Sequence, residues 1–163
     1  MKFHERFLPS EASYVSLDEV PEDARDILGI YNAINGQDGV DCASDINQLL
    51  DEFEDQHCYV VEADEDDIED DDSPVLAVAN YRKEYRAGYA WLEGLAVRPQ
   101  DRKLGLVGRF ALRNLVEVTR ESGLSEIRLR SVPSAVSFYQ RNGFVVLDEE
   151  CANGDAKMSH EIR

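Results

Sequence analysis

The sequence predicts an α/β (α+β) fold in which a central sheet is flanked by about four helices. Apolar residues recur at helical spacing in four segments, whereas shorter apolar or alternating segments are typical of strands. Two strand segments, Val75–Arg82 and Gly88–Val97, follow each other closely enough to form an antiparallel pair. The second leads through Pro99 to Gly105, where another helical segment begins.

The N-terminal half is predicted to contain a strand, two helices and a second strand. The first strand lies within Met1–Ser16, and the first helix spans Pro21–Asn35, which opens with proline and acidic residues. Its apolar face consists of Ala24, Ile27, Leu28, Tyr31 and Ile34. The second helix spans Ser44–Asp55 with Ser44 as its N-cap. Its apolar stripe consists of Ile46, Leu49, Leu50 and Phe53. The alternating segment His57–Ala63 predicts the second strand.

The C-terminal half is predicted to alternate helices with short strands. Its elements are a helix Leu106–Ser122, a strand Ser125–Arg130, a helix Pro133–Asn142, a strand Phe144–Asp148 and a last segment Ala156–Ile162 that closes the sheet. No internal repeat or linker interrupts the chain. We therefore expect a single domain over residues 1–163.

An acidic loop at about residues 62–74 separates the second and third strands. Its sequence is EADEDDIEDDDSP, which cannot fold by itself and is expected to be a solvated tip between strands. The alternative is a set of carboxylates that attracts cationic acceptors or divalent ions. A calcium loop is disfavoured because the turn glycine and ligand spacing are missing, and no metal site is expected from the scattered cysteines and histidines.

The charge balance limits the partners of this protein. Acidic residues number 34 and basic residues 17, so the net charge is −17 and duplex nucleic acid is disfavoured. Cationic partners such as polyamines, amino sugars or lysine side chains are favoured instead. Only four basic residues are lysines, a composition typical of salt-accumulating organisms, and an acidic mesophilic protein remains an equal alternative. No apolar run is long enough for a membrane span, and a cytoplasmic location is expected.

The segment from Leu95 to Gly108, LAVRPQDRKLGLVG, predicts an anion site at a helix start. Free N–H groups and the helix macrodipole favour negative charge there, and Arg102 would add a forked donor suited to phosphate oxygens. A strand, a turn and a helix are common in proteins, so this signal is only moderately specific.

Two motifs together make a more specific signal. The first includes Val97, Pro99, Arg102 and Gly105. The second includes Ala135, Phe138, Tyr139, Gly143 and Phe144. In this pattern the chain resembles the GNAT superfamily of N-acetyltransferases, most closely over Val75–Val146. The resemblance implies a GNAT-like mixed, mostly antiparallel sheet that splays at its middle to admit acetyl-CoA. Two residues depart from the family pattern: Val107 replaces a Gly or Ala, which would put a branched side chain near the pyrophosphate, and Val132 replaces an Asn.

The same resemblance assigns functional residues. Cofactor binding is assigned to the end of the Val97 strand and to the loop after it: Leu95, Ala96, Val97, Arg102, Lys103, Gly105, Leu106, Val107, Gly108 and Arg109. Tyr139 is expected to protonate the leaving thiolate, although a helical tyrosine is often a packing residue. Glu93 is the candidate base, because it is the only acid between Tyr85 and Asp101; it could equally be an ordinary outward strand residue. Phe138 is expected in the core. Four strand aromatics could line an acceptor pocket or pack in the core: Tyr81, Tyr85, Tyr89 and Trp91.

The predicted function is that of an N-acetyltransferase. It would move an acetyl group from acetyl-CoA to a primary amine, on a small molecule or a protein, by direct attack in a ternary complex. Dimers are frequent in the superfamily, so a homodimer is an expected state. One alternative is a non-catalytic acyl-CoA-binding or interaction module on the same scaffold, and another is an acidic decoy that binds basic proteins.

Overall fold

A computed structural model describes residues 1–8, 13–37, 39–68, 73–151 and 153–163. Within these ranges it contains seven strands and four α-helices. In chain order they are β1 (Lys2–Arg6), α1 (Glu22–Tyr31), α2 (Ala43–Glu52), β2 (His57–Glu62), β3 (Val75–Glu84), β4 (Tyr89–Val97), α3 (Leu106–Glu121), β5 (Glu126–Ser131), α4 (Val136–Arg141), β6 (Val145–Glu150) and β7 (Ala156–Glu161). The predicted α/β (α+β) class and the number of helices are confirmed.

The strands form one sheet in the order β1-β2-β3-β4-β5-β7-β6. Only the β4–β5 pair is parallel, and the other neighbours are antiparallel, so the mostly antiparallel mixed sheet implied by the resemblance is confirmed. The expectation that Ala156–Ile162 closes the sheet is wrong. β7 pairs with both β5 and β6, which leaves β6 at the edge.

The four helices cover opposite faces of the sheet. On the α1/α2 face, the apolar stripes of both helices pack on Val60 and Val78. On the α3/α4 face, the helices pack on the alternate residues of the same strands, including Tyr59, Ala79 and Tyr81. This alternation follows from the two-residue period of a strand, and it gives the protein a separate apolar core on each side of the sheet.

The ends of the first two helices differ from the sequence expectations. The first helix stops at Tyr31 and continues as a 3₁₀ turn, Asn32–Asn35, so that Ile34 leaves the helical face and is 45% exposed. The second helix starts one residue early, at Ala43, and Ser44 does not cap it, because Cys42 occupies the N-cap position without a side-chain cap bond.

The sheet opens on one side of β4. β4 pairs with β5 only from Tyr89 to Leu92, whereas it pairs with β3 as far as Val97. The β3–β4 register also shifts: Asn80 faces Gly94 and Tyr81 faces Leu92, which leaves Glu93 as an extra residue on β4. Such a bulge bends its strand and redirects the side chains beside it. The C-terminal half of β4 therefore has a free edge.

The described part of the β2–β3 connection lies against the chain start. The amino group of Met1 is 2.5 Å from the Asp64 carboxylate, and Lys2 Nζ is 3.6 Å from Glu65. Residues 69–72 of the predicted acidic loop lie outside the described residues. Among the residues that are described, no helix has both the length and the apolar character needed to cross a membrane.

Candidate active site

A cavity of about 370 Å³ lies at the free edge of β4. Its volume is in the range of small-molecule sites. β4, the loop before α3, the first turn of α3 and the α4 region supply its lining: Leu95, Val97, Asp101, Arg102, Gly105, Gly108, Ser134, Ala135, Phe138 and Tyr139. The two sequence motifs, about thirty residues apart in the chain, therefore meet in one cavity.

The start of α3 forms one end of the cavity. Gly105 precedes the helix in the left-handed conformation, with φ of 62°, which favours glycine over other residues. The first helical bond runs from Arg109 N–H to the Gly105 carbonyl, at 3.0 Å. The N–H groups of residues 106–108 therefore have no carbonyl in a preceding turn, and the macrodipole adds positive charge there. This arrangement suits a bound anion.

Arg102 is positioned next to this helix start. Its Nε donates to the Val97 carbonyl at 2.7 Å, so the guanidinium is held at the carboxyl end of β4. Asp101, which also lines the cavity, pairs with Arg98 at 2.6 Å. This pairing offsets the one carboxylate at the cavity wall and leaves the local environment favourable for an anion.

Phe138 lies against the first turn of α3 and is part of the cavity wall. A Cβ atom on Gly108 would lie 2.9 Å from Phe138 Cζ, so only glycine allows this contact without a shift. Phe138 is partly buried: it packs against the apolar core of the α3/α4 face, as expected, and it also lines the cavity.

The other predicted cofactor residues occupy two environments. Lys103, Leu106 and Arg109 are exposed. Ala96 and Val107 are 4% and 7% exposed, so they can act only through their main chains. The Val107 side chain belongs to an apolar cluster with Val61, Leu76, Ala77 and Ala111. The cofactor roles of all these residues stay predictions.

Tyr139 contributes a phenol group to the cavity wall. It is 9% exposed, and its ring makes edge contacts with Phe138 and Phe144. Burial raises the pKa of Tyr139 to about 12. The hydroxyl is therefore protonated at neutral pH. It has no hydrogen-bond partner among the described residues, which leaves its proton available to a bound molecule.

Glu93 lies at the bulge, in the electrostatic environment of the α1/α2 face. Its carboxylate is 3.0 Å from Arg82, which also pairs with Glu84 at 2.5 Å. The charge of Glu93 contributes to raising the pKa of Glu52 and of Tyr31, in each case after the larger effect of burial. The structure therefore places the predicted acid and base near different faces, with the free edge of β4 between them.

The sequence analysis missed several residues of the α1/α2 face. Asn80 is 1% exposed and donates from Nδ2 to the Tyr31 hydroxyl at 3.3 Å and to the Glu52 carbonyl at 3.2 Å. Gly94 lies opposite Asn80. A polar Asn inside the apolar run of β3 was the only sequence signal for this group.

The four strand aromatics do not form a pocket together. Tyr81 is fully buried and hydrogen-bonded to Thr119 Oγ1 at 2.7 Å, whereas Tyr85 is 63% exposed at the β3–β4 turn. Tyr89 lies under the Arg128 guanidinium, 4.3 Å from its ring centre. Trp91 is half-buried opposite Arg82. The core alternative is correct for Tyr81.

The fold and this cavity define an acyltransferase architecture. The acetyltransferase (GNAT) family model matches residues 25–144, and the chain belongs to this family. The resemblance found in the sequence is therefore confirmed. None of the curated protein sequences that were compared matches this chain.

Solved structures with the same fold include three useful comparisons. A GNAT-family protein from Desulfovibrio desulfuricans is 22% identical, with 99% of each chain covered and a TM-score of 0.66. An aminoglycoside 6'-N-acetyltransferase complexed with coenzyme A is 14% identical, over 100% of this chain and 98% of that one, with a TM-score of 0.70. A Bacillus subtilis acetyltransferase in complex with CoA is 20% identical, over 71% and 84%, with a TM-score of 0.54. At these identities the likeness is one of fold.

Proposed function

We propose that this protein transfers an acetyl group from acetyl-CoA to a primary amine by direct attack in a ternary complex. The observation that supports this most strongly is that one cavity is lined both by a helix start suited to an anion and by a tyrosine whose hydroxyl has no hydrogen-bond partner among the described residues. A molecule that joins a pyrophosphate to an apolar arm ending in a thioester fits that combination.

The cavity residues suit the two ends of acetyl-CoA. The N–H groups at the start of α3 and the guanidinium of Arg102 would donate hydrogen bonds to the pyrophosphate oxygens. The apolar walls, Leu95, Val97 and Phe138, would exclude water from the arm. When bound, acetyl-CoA supplies a thioester carbonyl carbon to the amine.

The residues around β4 suit the proton transfers of the reaction. An ammonium acceptor must lose a proton before its nitrogen can attack, and Glu93 would take that proton directly or through a water molecule. Tyr139 would donate its proton to the departing thiolate. The attacking nitrogen still carries an extra proton once the carbon–nitrogen bond has formed, and this second proton would return to Tyr139 directly or through a water molecule. Of the two protons that the ammonium loses in each turnover, one therefore ends on the thiol product and the other passes through Glu93 to solvent. The carbon–nitrogen bond forms while the carbon–sulfur bond breaks, without a covalent bond to the protein.

Calorimetric titration with acetyl-CoA, at low and at molar salt, is the first test. Saturable one-to-one binding is expected, followed by acetylation of at least one member of an amine panel, detected by mass spectrometry. If acetyl-CoA does not bind at either salt concentration, the proposed function is wrong.

Tyr139→Phe separates an enzyme from a non-catalytic acyl-CoA-binding module. We expect kcat to fall about 100-fold, because a positioned general acid contributes about that much, while the Kd of acetyl-CoA changes less than about twofold. Tyr85→Phe is the control, since that hydroxyl is on an exposed turn. An unchanged kcat in Tyr139→Phe would remove the assigned role.

A further inference from the structure

The contact between α1 and β4 depends on the absence of a side chain at Gly94. A Cβ atom there would lie 3.0 Å from both Cε2 and the hydroxyl of Tyr31, and it would overlap Ile34 Cδ1. Gly94 is not among the glycines with positive φ, so backbone conformation does not require glycine at this position. Space does.

Tyr31 is held in this contact by two further interactions and by its burial. It is 4% exposed, and its ring packs edge-on against Phe53, with ring centres 4.7 Å apart. Asn80 Nδ2 donates to its hydroxyl, and burial raises its pKa to about 12, so the phenol is neutral at pH 7. A buried, neutral, hydrogen-bonded side chain cannot easily move to make room for a new methyl group.

Asn80 joins this contact to the second helix and to the bulge. The same Nδ2 also donates to the Glu52 carbonyl at the end of α2. Across the sheet, Asn80 pairs with Gly94, and the next pair skips Glu93. The Asn80 carboxamide therefore links α1 to α2 by hydrogen bonds, and it does so at the strand position next to the bulged residue, Glu93.

We propose that the packing of Tyr31 on Gly94 is a positioning contact that determines how the acceptor amine approaches Glu93. The inference rests on the proposed function and extends it to the α1/α2 face. A methyl group at Gly94 would lift α1 from β4 beside the bulge. The cofactor cavity is lined by other residues of β4 and by α3 and α4, so it should be largely unaffected.

Ile34 provides a compensating change. Its side chain is 45% exposed, so truncation to Ala should cost little stability, and it removes the atom that a methyl group at Gly94 overlaps. The effects of Gly94→Ala and Ile34→Ala on kinetics should therefore be non-additive, as expected for residues in direct contact.

The experiment compares Gly94→Ala, Ile34→Ala, the double variant and Tyr31→Phe, using an amine that the parent protein acetylates. Gly94→Ala should lower kcat/KM for the amine about tenfold or more, mainly through KM, while the Kd of acetyl-CoA stays within about twofold. Ile34→Ala alone should stay within about twofold, and the double variant should recover at least half of the loss on a logarithmic scale.

Tyr31→Phe keeps the proposal testable if Gly94→Ala does not fold. Loss of the hydroxyl removes one of the two acceptors of Asn80 Nδ2 and should raise the KM of the amine about threefold, again with acetyl-CoA binding unchanged. A KM equal to that of the parent would overturn the inference in that case.

Each remaining outcome is decisive. Unchanged kinetics in Gly94→Ala, no recovery in the double variant, or a parallel loss of acetyl-CoA affinity overturns the inference and leaves the proposed function intact. A parent protein that acetylates no amine overturns the proposed function, and the inference with it.

Discussion

The two faces of the central sheet position their functional groups in different ways. On the α3/α4 face, main-chain N–H groups at one helix start and a tyrosine from a short helix converge on one cavity. On the α1/α2 face, Tyr31, Asn80 and Gly94, which come from three separate elements, contact one another beside Glu93. Main-chain groups tolerate many changes of side chain, whereas a contact between side chains does not. We therefore expect substitutions on the two faces to separate cofactor binding from use of the acceptor.

Glu93→Gln is expected to have the largest effect of the substitutions that distinguish the two faces. Loss of the proton acceptor should lower kcat/KM for the amine about 100-fold and leave acetyl-CoA binding unchanged. Glu84→Gln is a matched control, because Glu84 and Glu93 contact the same side chain, Arg82. If both variants lose activity equally, the role of Glu93 is to hold Arg82 and the assignment as base is wrong.

Gly108→Ala tests the other face and should have a smaller effect. The new methyl group would lie 2.9 Å from Phe138 Cζ, so Phe138 must move, and the Kd of acetyl-CoA should rise about tenfold, measured by calorimetry. The KM of the amine should change little.

Gly29→Ala is the control for this substitution, since it adds the same methyl group to another α-helix. There the nearest atom, Gly39 Cα, would be 3.4 Å away, close to ordinary contact. Equal losses of acetyl-CoA affinity in the two variants would contradict the assignment of Gly108 to the cofactor cavity.

The functional groups of the α3/α4 face were easier to predict from the sequence than those of the α1/α2 face, because they depend on a local motif. Most elements were placed correctly because buried stripes and buried strands leave periodic apolar patterns. The helix start at Gly105 was predicted because anion binding there needs a local sequence of glycine and arginine. The burial of the Val107 side chain could not be predicted in this way, because a family motif identifies a position without showing which way its side chain points.

The contacts of the α1/α2 face could not be predicted in the same way. Gly94 lies in the middle of a strand with ordinary backbone angles, and only the approach of α1 gives it a role. Ile34 followed the helical period in the sequence, but the change to a 3₁₀ turn moved it onto β4. The bulge at Glu93 depends on the register between two strands, which neither strand encodes alone.

The smallest expected effect concerns the stability of the α1/α2 face. Partial burial raises the pKa of Glu52, and the charge of Glu93 raises it further. A carboxyl group whose pKa is higher in the folded protein favours folding at low pH, and this contribution is lost as the pH rises through the folded pKa. Glutamine does not titrate, so the Glu52→Gln variant does not lose this folding stability as the pH rises. Its melting temperature relative to that of the parent should therefore increase as the pH rises from below the unfolded pKa of a glutamate, about 4.3, to neutral pH.

Glu117 gives a control of opposite sign. It pairs with Arg120 on the exposed side of α3, and this hydrogen bond lowers the pKa of Glu117. A lowered pKa contributes stability above the unfolded value, so Glu117→Gln should not gain on the parent as the pH rises. If both variants show the same trend with pH, the pKa of Glu52 is not raised in the folded protein, and neither its burial nor the charge of Glu93 has the inferred effect on it.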